Sequence, residues 1–217
     1  MMKRRVFLGA LSIPLLALAQ SDRTVPSSPV DSVVLYIVPT DGFPEQVAAT
    51  IARQLTTDTG LWVKASLWTP SGVSSPLPGT NQYPAEDYLP LGDALARQLG
   101  DASARTYFIV LTDRDINSRA QNFRFQYSLH RPMARTSVLS IARLLYRKDG
   151  TPASDAQIGK RMRVMLMRIV GEMKFGWQRT REPADLMFAP IMSIDDIDNI
   201  DLTRSIATRR AQGLMRP

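Results

Sequence analysis

Two runs of β-branched and aromatic residues limit what this chain can fold into. Ser32 to Thr40 (SVVLYIVPT) and Arg105 to Thr112 (RTYFIVLT) are apolar almost without interruption, and each reads as a buried strand. Between them, Pro44 to Thr57 carries apolar residues at Val47, Ala48, Ile51, Ala52 and Leu55, the spacing of a helix, which Gly60 ends. Leu61 to Trp68 alternates as a second strand, Thr69 to Pro84 is a loop, and Ala85 to Leu99 reads as a second helix stopping at Gly100. Phe123 to Leu129 (FRFQYSL) alternates aromatic and polar residues as an edge or half-exposed strand does, and Ser137 to Leu144 (SVLSIARL) is a further strand. A long helix is predicted over about Ser154 to Phe175, capped by Ser154, with Ile158, Met162, Met165, Leu166, Ile169, Val170 and Met173 at helical spacing. A short helix near Ile194–Ile206 follows within an irregular tail. This order predicts one α/β (α+β) domain over 32–217: helices packed on a mixed, twisted sheet, with a long central helix.

The first residues belong to another category. Lys3, Arg4 and Arg5 precede an apolar run from Val6 to Ala19 that ends Ala17-Leu18-Ala19, a small-x-small cleavage pattern. Residues 1–19 are therefore expected to be a signal peptide, and Arg4-Arg5-Val6-Phe7-Leu8 has the look of a twin-arginine signal. The run is shorter than the roughly 20 residues that span a bilayer, so no stable membrane span is expected after cleavage. Residues 20–31, rich in Ser, Pro and charge, read as a linker. The expected location is the periplasm or the extracellular space. Setting aside Lys3, Arg4 and Arg5 lowers the formal charge from +7 to +4, and the remaining basic residues are scattered, which argues against nucleic-acid binding. The chain has no cysteine and a single histidine, His130, so neither a disulfide nor a multi-histidine metal site can be built.

Other residues with chemical potential have plainer readings beside them. Met162, Met165, Met167, Met173, Met187 and Met192 offer thioethers suited to Cu(I), but their spacing is also that of a core face. Asp195, Asp196, Asp198 and Asp201 (SIDDIDNID) lack the glycine of a calcium loop and suit a helix start capped by Ser193. Asp113 and Asp115 flank Arg114 after a buried strand, where they line a site or brace turns. His130, in His130-Arg131-Pro132, reads as a solvated turn without a role. No cofactor is expected.

Several segments, in order and at similar spacing, resemble the archaemetzincins, zinc peptidases of the metzincin group: Phe43-Pro44, Gln82-Tyr83-Pro84-Ala85, Leu111-Thr112-Asp113-Arg114-Asp115-Ile116, Asn122-Phe123-x-Phe125, and Ser137 to Leu144. The resemblance spans roughly Val33 to Leu202. It implies a zincin-like fold and a zinc helix of the form H-E-x-x-H-x-x-G, with two histidines on the metal and a glutamate to activate water. Aligned on Gly176, the first His position holds Ile169, the Glu position Val170, the second His position Met173 and the third ligand position Arg179, with Met187 in the expected methionine turn. A shift of two places Glu172 at the general base, and no shift yields a histidine. Two of the four cysteines of the family's structural zinc site would fall at Thr180 and Asp185. Catalytic zinc needs three protein ligands and lowers the pKa of bound water to about 7; hydrocarbon, thioether and guanidinium supply no such site. Arg179 either takes over the metal's electrostatic role or is an ordinary solvated arginine. The sequence thus predicts an exported, non-catalytic archaemetzincin-like protein, a pseudo-peptidase that binds an extended peptide or an envelope partner. The binding strand would be at Phe123, Phe125, Gln126 and Tyr127, by strand addition. The alternative is an active hydrolase using Glu172 as acid or base with Asp185 or Asp113 nearby.

Overall fold

The computed structural model describes residues 33–40, 42–67, 75–120 and 123–215; the expected signal peptide and the 20–31 linker lie outside them. The elements in order are β1 (Leu35–Pro39), α1 (Glu45–Thr59), β2 (Val63–Ala65), β3 (Tyr83–Pro84), a 3-10 turn (Ala85–Tyr88), α2 (Pro90–Ala96), β4 (Tyr107–Thr112), β5 (Ile116–Asn117), β6 (Ser128–Arg131), a second 3-10 turn (Pro132–Ala134), β7 (Thr136–Ser140), α3 (Asp155–Lys174), α4 (Ile194–Asn199) and α5 (Leu202–Ala211). Five strands form one twisted sheet in the order β2-β1-β4-β7-β6. The first four are parallel; β6 closes one edge antiparallel to β7.

The apolar runs are buried because both faces of this sheet are covered. Leu35, Ile37, Ile109, Leu111 and Leu139 face the layer of α1, α3, α4 and α5. Tyr36, Val38, Phe108, Val110 and Val138 face the layer holding Tyr88 and Leu95, next to α2. Each such side chain contributes about 1.5–3 kcal/mol by leaving water.

Helix α3 is the long central helix that the periodicity predicts. Ser154 caps it: its hydroxyl accepts from Gln157 N at 3.3 Å, and Gln157 Oε1 accepts from Ser154 N at 3.1 Å. Val164, Met165, Leu166, Met167, Ile169 and Val170 are buried. Arg161, 1% exposed, enters the same layer: it grips Asp198 at 2.8 and 2.7 Å and donates to the carbonyls of Leu144 and Tyr146. Just past the helix, Gly176 takes φ +64, and the chain turns so that Trp177 lies on Gly171. Trp177 is fixed there by its amide on Gly171 O (2.9 Å) and its indole N–H on Leu214 O (2.8 Å).

Several predicted boundaries move. The 85–99 helix is a 3-10 turn followed by the shorter α2, since Pro90 starts a fresh helix. The 194–206 helix is two helices broken at Ile200, with Asp201 capping the second. The predicted strand over Phe123–Leu129 does not begin until Ser128. Two of its aromatic residues instead pack inward: Phe125 and Tyr127 meet edge-to-face at 5.2 Å, and the Arg143 guanidinium lies 4.0 Å from the Phe125 ring centroid. β3 and β5, two residues each, pair parallel in a small second sheet within segments too short to show any periodicity.

Two glycines of α3 give opposite expectations. A Cβ on Gly171 would sit 2.1 Å from Trp177 Cε3, whereas one on Gly159 would meet nothing within 4 Å. Gly171→Ala should lower stability by about 1–3 kcal/mol, and Gly159→Ala should raise it by up to about 1 kcal/mol, as read from urea unfolding midpoints. Equal effects in both variants would refute the Trp177 packing.

Candidate functional site

The second half of α3 runs beneath β6, and charged groups gather there. The amide of Ser140 donates to Tyr127 O at 2.9 Å, which makes Tyr127 and Ser140 a hydrogen-bonded pair. By alternation, His130 opposes Ser137 in a pair without mutual backbone bonds, and the two side chains share a face. It is the face on which Leu139 meets the α3 layer. The backbone groups of Ser128 and His130 therefore point away from β7, and among the described residues none of them is spent on another strand.

His130 is accordingly not the solvated turn residue the sequence suggests; it is a half-buried strand residue. Its Nε2 lies 3.2 Å from Ser128 Oγ, while its Nδ1 and the hydroxyl of Ser137 are buried without a hydrogen-bond partner. Burial pushes the imidazole pKa down to about 4; Glu172 opposes this, and Arg179 and Arg168 add to it. The ring is neutral near pH 7.

Arg168 and Glu172, four residues apart, share one face of α3. Arg168 is 7% exposed and donates to Leu186 O at 2.5 Å. Burial first and then Arg179, against the pull of Glu172 and Asp185, bring its pKa down to about 10. Glu172 itself is held by Arg179, at 2.9 and 3.3 Å. Leu186 precedes Met187, which is fully buried in the core, so Arg168 fastens the turn at Met187 to the helix. On the other side of that turn, Arg209 grips Asp185 at 2.8 and 3.1 Å, and Met187 N donates to Asp185 Oδ1 at 2.7 Å. Burial alone would raise the Asp185 pKa, but these bonds outweigh it and hold the carboxyl below its usual range. Thr180 Oγ1 is 3.4 Å from the same carboxylate.

The remaining candidates are placed as follows. Ile169 and Val170 are each 1% exposed and belong to the apolar core, and Met173 packs half-buried against it. Arg179 is exposed and ion-paired with Glu172. Of the predicted peptide-binding residues, Phe123 is exposed, Phe125 half-buried and Tyr127 buried; Gln126 N bonds Ile116 O, and its Oε1 is buried without a partner. The edge that offers free backbone is Ser128–Arg131 instead. Asp113 follows the end of β4, whereas Lys174, two residues from Glu172, lies over Tyr107 at its start. Six strand residues at about 3.3 Å each set Asp113 about 20 Å from Tyr107, and among the described residues no hydrogen bond or ion pair joins Asp113 to Glu172. Asp115 is clamped by Arg143 at 2.8 and 2.6 Å.

Every aspartate of the acidic cluster is engaged: Asp195 by Lys148, Asp196 by Met192 N and Ser193 N, Asp198 by Arg161, and Asp201 by Arg204 N. Met162, Met165, Met167 and Met187 are core residues, and Met192 is exposed. An apolar groove of about 730 Å³ runs between α1, α3 and α5 past Val47, Ile51, Met162 and Leu202; Asp201 lines it, but Arg168, Glu172, Arg179, Asp185 and His130 do not. Sequence reasoning missed Arg168, His130 and Ser137. The signal available was Arg168 itself, a cation among apolar residues one helical turn before Glu172.

His130 is the only histidine, so its ring resonances are unambiguous in an NMR titration. A buried base with a lowered pKa stabilises the fold while neutral. That stability is present above the unfolded value near 6.5 and is lost as pH falls from there toward about 4. The ring should stay neutral down to about pH 4; a midpoint near 6.5 would refute its burial against α3.

No protein-family model matches the sequence, and no curated protein does. Solved structures do match the fold. A zinc-dependent peptidase from Methanocorpusculum labreanum (strain Z) superposes with TM-score 0.64 at 18% identity, covering 76% of this chain and 93% of its own. Archaemetzincin from Methanopyrus kandleri gives 0.59 at 19% identity, covering 88% and 99%. Archaemetzincin from Archaeoglobus fulgidus, complexed with malonate, gives 0.56 at 19% identity, covering 81% and 98%. The fold of this chain, a mostly parallel twisted sheet closed by an antiparallel edge and crossed by one long helix, is thus similar to that of the archaemetzincins.

Proposed function

We propose that this protein is an exported, non-catalytic protein with the archaemetzincin fold that binds extended peptide along the outer edge of β6. One observation carries this reading: Ile169 and Met173, which align with the two zinc histidines, lie in or against the apolar core, and the charged face of α3 beside them presents Arg168 and Glu172, with Arg179 on Glu172. Such a donor set does not fit zinc. It contains one neutral imidazole, one carboxylate already held by a guanidinium, and two cations that repel a dication. Among the described residues no three His, Cys, Asp or Glu side chains converge as a metal needs. The position expected for the structural zinc is taken up by the Asp185–Arg209 pair.

The scaffold function that does not need metal is still supported. An edge strand with outward N–H and C=O groups at Ser128 and His130 can take an added strand through backbone hydrogen bonds. Arg168, by holding Leu186 O, keeps the methionine turn against α3 without an ion. Export rests on the charged start and apolar run of residues 1–19. Among the described residues no helix is long and apolar enough to cross a membrane. The alternative hydrolase lacks support in the geometry, since Glu172 is ion-paired, Asp185 is clamped by Arg209, and Asp113 lies at the opposite end of the sheet.

The test is direct. Purified protein dialysed against excess zinc should retain no stoichiometric metal, and quenched fluorogenic peptides should show no cleavage above buffer. Ser128→Pro, which removes one outward N–H at an edge position that tolerates proline, should weaken peptide binding several-fold at an unchanged melting temperature. One equivalent of bound zinc, or cleavage that disappears in Glu172→Gln, would overturn the reading.

A further inference from the structure

Three arginines are buried among the described residues: Arg161, Arg168 and Arg209. Arg161 pairs with Asp198 and Arg209 with Asp185, each through two hydrogen bonds. Among the described residues Arg168 alone of the three has no carboxylate partner, and its one hydrogen bond there goes to a backbone carbonyl. A guanidinium carries five N–H donors, and a buried charge without a counterion is costly. The nearest acid on its own helix face, Glu172, is committed to Arg179. Arg168, Arg179 and Arg209 against Glu172 and Asp185 leave one positive charge uncompensated in this cluster. Two more polar groups, His130 Nδ1 and Ser137 Oγ, are buried without partners on the sheet face above.

We propose that this cluster is a carboxylate-binding site, in which Arg168 receives a carboxylate carried by a peptide lying along β6, with the Ser137 hydroxyl and His130 as neighbouring polar contacts. The proposal rests on the β6 peptide reading above and adds a chemical preference to it. A carboxylate supplies what the site lacks: one negative charge, acceptors for the spare guanidinium donors, and the planar geometry a guanidinium matches. Arg179 can exchange Glu172 for the incoming group because that pair is exposed and weak. The carboxylate is either the peptide's C-terminus or an Asp or Glu side chain.

His130, the only imidazole, reports occupancy by NMR. Three pools of short N-acetylated peptides are titrated into the full-length protein: free C-terminal acid without Asp or Glu, C-terminal amide without Asp or Glu, and C-terminal amide with Asp and Glu. The first or third pool should shift the His130 resonances, and the second should bind about tenfold or more weakly. Whichever acidic pool binds tighter identifies the source. Arg168→Met should remove the difference between pools, and Arg168→Lys should retain part of it; the pool comparison on the unmodified protein decides the matter even if a variant fails to fold. Equal binding of all three pools refutes the carboxylate preference and leaves β6 peptide binding standing. Binding by none refutes both.

Discussion

Helix α3 must lie flat across a sheet that has no polar face, and most of the remaining structure follows from that. Its apolar stripe meets Leu35, Ile37, Ile109, Leu111 and Leu139, which brings the helix's arginines inside with it. Arg161 is satisfied by Asp198 and by the carbonyls of Leu144 and Tyr146, which ties the start of α3 to α4 and to the loop leaving β7. Among the described residues Arg168 is satisfied only by Leu186 O, which ties the second half to the turn at Met187. Past the helix, Trp177 closes over Gly171, and Arg209 lies 4.8 Å from the centre of its ring. The same packing that stabilises the fold thus leaves one interior cation without a counterion beneath the edge strand.

The segments that carry the resemblance to archaemetzincins prove to be neighbours. Gln82 donates to Asp115 and to Arg124 O, and accepts from Asn117. Asp115 takes two hydrogen bonds from Arg143, which lies on Phe125, and Arg114 lies 4.3 Å from the centre of the Tyr83 ring. Glu86 accepts from the Ser118 hydroxyl and Arg119 N. This network joins β3, β5 and the turn after β7. Its residues brace loops at the C-terminal ends of the parallel strands, away from α3's charged face. A scaffold can therefore keep these segments while the chemistry of α3 changes.

On the proposed reading, a guanidinium stands where zinc peptidases hold a metal, and such an exchange has a physical logic. A zinc ion organises its surroundings by charge and by directed ligands, and so does a buried arginine, through five donors and a fixed charge. Only the ion offers an open coordination position and acidifies water. An arginine in place of an ion would keep a positive charge at that point and would attract anions rather than activate water.

Element type was legible in the sequence wherever periodicity was strong. The runs at Leu35–Pro39 and Tyr107–Thr112, the stripe of α1 and the capped α3 are local patterns of hydrophobic spacing, and burial rewards them in any context. The absence of cysteine and the single histidine fixed, from composition alone, that no multi-histidine or thiolate metal site could form. Tertiary structure decided the rest. The alternation of Phe123–Tyr127 imitates an edge strand, but Arg143, held by Asp115 and distant in sequence, lies on Phe125 and draws it inward. His130 reads as a turn residue beside Pro132, and only its pairing with Ser137 shows that it faces α3. Arg168 looks like one more cation on a helix. Its significance comes from which carboxylates the fold assigns to Arg161 and Arg209 and withholds from it, because charge compensation in an interior depends on long-range neighbours that no local pattern records.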